Sequence, residues 1–144
     1  AVVVRVPPPN DTCAAPDVVT LTGGMATRNV DLTDARTDIP SDLCASLANG
    51  ADVVYEVTIP PMQTLTVVAT PVPPAIGVPV LDLVLFAKVG CGGAVSEVCA
   101  DNGGPVPEVL TVPNLSAAPK TTYVVVKAFV LQQPGEVNLT FTVM

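Results

Sequence analysis

Short runs of alternating hydrophobic and polar residues, separated by prolines and glycines, recur along the chain. In Asp52–Ile59 (DVVYEVTI) the side chains of Val53, Tyr55 and Val57 fall on one face. A period of two is typical of a strand that packs one face on a core. The pattern predicts strands at Val18–Leu21, Arg28–Leu32, Asp52–Ile59, Thr64–Thr70, Leu81–Lys88, Glu108–Val112, Thr121–Val130 and Glu136–Val143, with a compact hairpin at Cys91–Cys99. Roughly nine or ten short strands at this spacing are typical of an antiparallel, jelly-roll-like β-sandwich.

The composition strengthens the all-β prediction. Valine and threonine are frequent, and both are β-branched residues that pack well on a pleated sheet. The 16 prolines and 10 glycines interrupt the chain too often for long helices. Although 49% of the residues are hydrophobic, no run approaches the roughly 20 apolar residues that a membrane helix needs. We therefore expect a sandwich with a substantial core and no membrane span.

The charge of the chain narrows the range of partners. The net charge is −7, from 13 acidic and 6 basic residues, and the basic residues are scattered along the sequence. Proteins that bind nucleic acid concentrate lysine and arginine on one surface. The sequence therefore argues against a nucleic-acid partner and fits a secreted, extracellular or cell-surface protein.

The four cysteines predict two disulfides. The chain has no histidine and no C-x-x-C spacing, which disfavours a zinc site, and an even number of cysteines favours bridges. Sequence neighbours suggest Cys13 with Cys44 and Cys91 with Cys99, although four cysteines allow other pairings. Disulfides imply an oxidising compartment. The start at Ala1, without Met or a charged leader, suggests that a signal peptide has been removed.

A triple proline, Pro7–Pro9, divides the chain into a segment of residues 1–9 and a sandwich domain of residues 10–144. Consecutive prolines keep the backbone extended. The β-prone sequence before them (AVVVRV) is expected to form a strand, which either folds back as an edge strand or completes the sheet of a neighbouring chain. Head-to-tail donation of this kind does not close and would produce filaments. The residues of this assembly strand are Val2, Val3, Val4 and Val6.

The order of several short motifs resembles the bacterial pre-peptidase C-terminal type domain, a jelly-roll-like β-sandwich. The motifs are Asn10–Cys13 (NDTC), Cys44, Asp52–Val57 (DVVYEV), Asp82–Phe86 (DLVLF) with Cys91, Cys99–Asn102 (CADN), Thr122–Val126 (TYVVV) and Gly135–Phe141 (GEVNLTF). The resemblance implies a non-catalytic module, often appended to exported enzymes, which binds a substrate or surface and sometimes calcium. This chain departs from the family in having no tryptophan and few aromatic residues, which weakens a sugar-stacking platform.

Candidate chemistry is sparse. Without histidine, neither a Ser-His-Asp nor a Cys-His arrangement can be built, so we expect no enzyme activity. The aspartates Asp31, Asp34, Asp38 and Asp101 are candidate calcium ligands, because calcium prefers carboxylate and carbonyl oxygens. The alternative is a set of solvated acidic side chains. Three Asn-x-Ser/Thr sequences, at Asn10, Asn114 and Asn138, are potential glycosylation sites only in a eukaryotic secretory pathway.

Two functions therefore remain open. The first is a self-assembling structural subunit of an extracellular filament or layer, which the segment of residues 1–6 favours. The second is an accessory module of a secreted bacterial hydrolase that binds a polysaccharide or protein, which the family resemblance favours. No cofactor is expected other than calcium. The sequence favours the subunit, with copies of the same chain as partners.

Overall fold

The chain folds into nine β-strands in a computed structural model that describes residues 4, 6–40, 47–92, 95–131, 133 and 135–144. The strands are β1 (Asp17–Val19), β2 (Met25–Asp31), β3 (Asp52–Ile59), β4 (Thr64–Pro71), β5 (Leu83–Lys88), β6 (Ser96–Ala100), β7 (Glu108–Pro113), β8 (Lys120–Ala128) and β9 (Glu136–Val143). No helix in this part of the chain has the length and apolarity needed to cross a membrane. The predicted all-β sandwich is confirmed.

The strands form two sheets that pack face to face. The five-stranded sheet has the order β1-β3-β8-β5-β6, and the four-stranded sheet has the order β2-β9-β4-β7. All neighbouring strands are antiparallel except β1, which pairs with β3 in parallel. Each sheet therefore has one inner face toward the other sheet and one outer face.

The inner faces bury the main hydrophobic core. Strand β3 contributes Val53, Tyr55 and Val57, as its alternation predicts, and all three are almost completely buried. The ring of Tyr55 lies 5.4 Å from that of Phe141 in β9 and so links the two sheets. Burial of this kind is the main source of stability in such a domain.

A second, smaller core lies on the outer face of the five-stranded sheet. Its buried members are Ile39, Ala48, Val54, Val84, Phe86 and Val125. Ile39 and Ala48 belong to the connection between β2 and β3, and the other members project outward from the sheet. The connection therefore covers part of this face.

Gly50 fixes the end of that connection against β8. A side chain at this position would bring its Cβ within 2.3 Å of the carbonyl oxygen of Ala128. The amide of Gly50 instead donates to that oxygen at 3.0 Å. Only glycine permits so close an approach.

The disulfide pairing differs from the prediction. Cys13 bonds to Cys91 across 78 positions of sequence, and Cys99 is not a free thiol. The proposed Cys91–Cys99 pair is wrong because Cys91 is bonded to Cys13. The proposed Cys13–Cys44 pair is also wrong, and Cys44 itself lies outside the described residues.

Candidate binding face

The outer face of the four-stranded sheet is an open surface of mostly short side chains, uncharged except at one end. Within its four fully described strands, the outward positions are Met25, Thr27, Asn29 and Asp31 of β2, Glu136, Asn138, Thr140 and Thr142 of β9, Thr64, Thr66, Val68 and Thr70 of β4, and Val109, Thr111 and Pro113 of β7. All are exposed or half-buried. We call this surface the bare face.

The register aligns these side chains in rows across the strands. One row runs from Met25 through Thr142 and Thr66 to Thr111. A third row begins with Asn29 and Asn138, whose side-chain amides are joined by a hydrogen bond of 2.8 Å. The three ladders of this sheet have no register shift, whereas the β5–β6 ladder shifts between Ala87 and Lys88. The bare face is therefore regular.

Charge is confined to one end of the bare face. Asp31 and Glu136 lie directly opposite each other at the ends of β2 and β9. Like charges in this arrangement repel, and the Asp31 carboxylate is partly satisfied by the Thr33 amide at 2.9 Å. Over the rest of the face, hydroxyl and amide groups offer both donors and acceptors to solvent. Away from Asp31 and Glu136, the outward side chains can form hydrogen bonds with a ligand but include no titratable group.

The outer face of the five-stranded sheet carries a buried ion pair instead. Lys127 Nζ donates to Asp52 Oδ2 at 2.9 Å, and neither side chain has any exposed surface. Lys127 also donates to the Gly50 carbonyl oxygen, and the Ile39 amide donates to Asp52 at 3.0 Å. Burial raises the pKa of the Asp52 carboxyl, against the opposing effect of these donors. The pair holds the covering connection in place and has no access to a substrate.

A second buried carboxylate orders the turn before β7. Glu108 accepts hydrogen bonds from the backbone amide of Asn102 at 2.8 Å and from its side chain at 3.1 Å. Burial raises the pKa of Glu108, and the charges of Asp101 and Asp82 add to that effect. Both oxygens of Glu108 are used within the fold. We therefore assign this group a structural role.

A cleft of about 670 Å³ opens beside β1 and β2, and it contains two of the predicted calcium ligands, Asp31 and Asp34. Asp38 is exposed, and Asp101 follows β6, at the opposite edge of the sandwich from β2. In the described part of the chain, no three acidic or cysteine side chains are grouped closely enough to hold a metal ion. The structure does not bring the four aspartates together, and calcium binding stays a prediction.

Tyr55 lies at the base of the same cleft. Burial raises the pKa of its phenol to about 12. At the side of the cleft, Arg28 of β2 and Asp17 of β1 form an ion pair of 2.8 Å that connects the two sheets. These groups close the edge of the sandwich, and the phenol remains neutral at physiological pH.

The predicted assembly strand is described only in part. Val2 and Val3 lie outside the described residues, whereas Val4 and Val6 are exposed and belong to no strand. Val6, with Pro8 and Pro9, lines the cleft beside β1. Strand donation and the domain boundary at residue 9 therefore stay predictions.

At two of the three potential glycosylation sites, the asparagine side chain is buried and forms hydrogen bonds within the protein. Asn10 is buried and its side chain donates to the Val54 carbonyl oxygen at 3.1 Å. Asn114 is also buried, and its side chain donates to the carbonyl oxygens of Ile59 and Ala118. Asn138 is exposed on the bare face. A glycan on Asn10 or Asn114 would displace hydrogen bonds that anchor the ends of β3.

No protein-family model matches the sequence, and no curated protein does so either. Two solved structures are similar to this chain. The first is the pre-peptidase C-terminal domain of a collagenase from Bacillus anthracis, with a TM-score of 0.50, 10% identity, and coverage of 90% of this chain and 94% of that one. The second is a periplasmic inhibitor of g-type lysozyme from Aeromonas hydrophila, with a TM-score of 0.49, 13% identity, and coverage of 90% and 96%.

The resemblance to the pre-peptidase C-terminal domain is confirmed at the level of the fold. The bare face was not predicted from the sequence. Its signal was the alternation of threonine and asparagine in Thr27–Asn29, Thr64–Thr66 and Asn138–Thr142. The alternation indicates a continuous polar face only once the strand order is known, because that order places these segments side by side.

Proposed function

We propose that this chain is a non-catalytic binding module of an exported protein, and that its ligand contacts the bare face. The observation that carries the proposal is an open, regular hydrogen-bonding surface, uncharged except for Asp31 and Glu136 at one end, on a chain with a net charge of −7. Surfaces of soluble domains normally mix charged side chains throughout. A surface that departs from this pattern over most of a sheet is a candidate for recognition.

Three further observations support the proposal. The Cys13–Cys91 bond indicates folding in an oxidising compartment, which fits an exported protein. The chain has no histidine, and the buried carboxylates of Asp52 and Glu108 are held by partners within the fold. A domain of a collagenase shares the fold, which fits an accessory role beside an enzyme.

A depletion assay tests this function. The purified chain is mixed with insoluble cellulose, chitin, starch or collagen, and the protein left in the supernatant is measured. We expect depletion by at least one polymer, and we expect Thr140→Lys to abolish it because a long charged side chain would stand in the middle of the bare face. Thr121→Lys, on the exposed part of the other outer face, is the matched control. Absence of binding to every polymer, or equal binding by both variants, would contradict the proposal.

The structural subunit remains the second candidate. Val4 and Val6 are 78% and 73% exposed, and a neighbouring sheet could cover them if the first strand were donated. Negative-stain microscopy and light scattering on the full chain and on a chain without residues 1–6 test this function. Filaments that disappear on truncation would support it, and monomers in both samples would rule it out.

A further inference from the structure

We infer that the ligand of the bare face is a neutral polysaccharide, recognised by rows of threonine hydroxyls and not by aromatic stacking. The inference rests on the proposed function and specifies the chemistry of its ligand. Three properties of the face lead to it: its charge, its side-chain types and its periodicity.

Charge excludes ionic polymers as preferred ligands. Between the row of Met25 and the row of Asn29, the bare face carries no charged outward side chain in its four described strands. The chain as a whole carries −7, so an anionic polymer is repelled, and a cationic polymer finds carboxylates only at Asp31 and Glu136. A neutral polymer matches the central part of the face.

The side-chain types disfavour a protein ligand. The energetic centres of protein–protein interfaces are enriched in tryptophan, tyrosine and arginine. The outward positions of the bare face include none of these, and its apolar side chains are Met25, Val68, Val109 and Pro113, of which Val68 and Val109 are neighbours. Threonine hydroxyls both donate and accept, as sugar hydroxyls do. Because threonine is stiff at χ1, little side-chain entropy is lost when it binds.

The periodicity favours a polymer over a single sugar. Rows on one face of a sheet repeat about every 6.6 Å along a strand, and neighbouring strands lie about 4.8 Å apart. Thr142, Thr66 and Thr111 occupy one row at this spacing, and Thr27 and Thr140 begin the next. Each hydrogen bond to solvent-exposed hydroxyls adds little by itself, but a chain that spans several rows makes many contacts at once. We expect measurable binding to polymers and none to short oligosaccharides.

The test removes hydroxyl groups without changing the shape of the face. The triple variant Thr66→Val, Thr111→Val and Thr142→Val deletes one row of hydroxyls, and valine keeps the β-branched shape and strand preference. The matched control is Thr58→Val with Thr121→Val, a pair whose hydroxyls lie 3.3 Å apart on the outer face of the five-stranded sheet. Binding to cellulose, chitin, starch, alginate and collagen is measured for each.

We expect the wild-type chain and the control to bind a neutral polysaccharide, and the triple variant to bind it at least about tenfold more weakly. Binding should change little between roughly 0.05 and 0.5 M salt, because screening affects only charged contacts. Binding to collagen alone, or preferential binding to the anionic alginate, would overturn the inference and leave the proposed function intact. If both the triple variant and the control bind as the wild type does, the polysaccharide binds elsewhere and the inference is overturned. If the chain binds none of these polymers, both this inference and the proposed function are overturned.

Discussion

The two outer faces of the sandwich differ in how far they are covered and in how their polar groups are satisfied. The five-stranded sheet buries part of its outer face beneath the connection between β2 and β3, with a second hydrophobic core and a disulfide beside it. The four-stranded sheet leaves its outer face open. Polar groups on the covered face have partners inside the protein, such as Lys127 for Asp52. Polar groups on the bare face are exposed or half-buried at the surface.

This difference separates stability from recognition. A buried polar group is costly unless it is paired, so its substitution should damage the fold. A hydroxyl that faces water can exchange that water for a ligand without cost to the fold. We therefore expect substitutions on the covered face to change the free energy of unfolding, and those on the bare face to change binding.

The largest effect is expected for Lys127→Met. This change leaves the Asp52 carboxylate buried without its cation, because the two side chains are completely buried. Removal of one partner of such a pair costs about 3–5 kcal/mol. Lys120→Met, in the same strand, is the matched control, because its pair with Glu97 is partly exposed and such pairs contribute about 0–1 kcal/mol. Denaturant unfolding measures both variants, and equal losses would contradict the difference between the covered and the exposed positions.

The pH dependence of Lys127→Met provides an independent check. Burial already raises the pKa of Asp52 above its ordinary value of 3.8, and loss of the cation should raise it further. A group whose pKa is higher in the folded state gives stability below its unfolded pKa, and that stability is lost as the pH rises through the folded pKa. The deficit of Lys127→Met relative to the wild type should therefore be largest at neutral pH and shrink toward about pH 4. A deficit that grows on acidification would contradict this assignment.

The next largest effect is expected for Cys13→Ala with Cys91→Ala. The bond joins the segment before β1 to the turn after β5 across the covered face and closes a loop of 78 positions. Loss of a native disulfide in a small domain costs about 2–5 kcal/mol. Denaturant unfolding should show this loss, and hydrogen exchange should be faster at the Ile39 amide than in the wild type. The amides that pair β2 with β9 should exchange at the wild-type rate in the native state. Equally faster exchange in both regions would contradict the view that the disulfide stabilises the β2–β3 connection locally.

The sequence predicted local features and failed where distant segments meet. The bounds of β3 and β9 were predicted correctly because alternation is a property of adjacent residues. The Cys13–Cys91 bond was not, because sequence proximity does not determine which loops cross the same face. The pairing of Asp52 with Lys127 depends in the same way on the β3–β8 register. The rows of the bare face require the order β2-β9-β4-β7, which alternation within each strand does not specify.

The smallest change in the free energy of unfolding is expected when valine is replaced by threonine, and the same substitution can be made on both outer faces. Val125→Thr places a hydroxyl in the second core, where Val125 has no exposed surface, and an unpaired buried hydroxyl costs about 1–3 kcal/mol. Val68→Thr places it on the bare face, where Val68 is half-buried between Thr140 and Val109, and surface changes usually stay within about 0.5 kcal/mol. Thermal unfolding of both variants measures the difference. If Val68→Thr lost as much stability as Val125→Thr, the bare face would be covered in solution, for example by a second copy of the chain. Near-neutral behaviour would instead leave the face open for a ligand, and the added hydroxyl should then strengthen binding because it fills a gap beside Thr140.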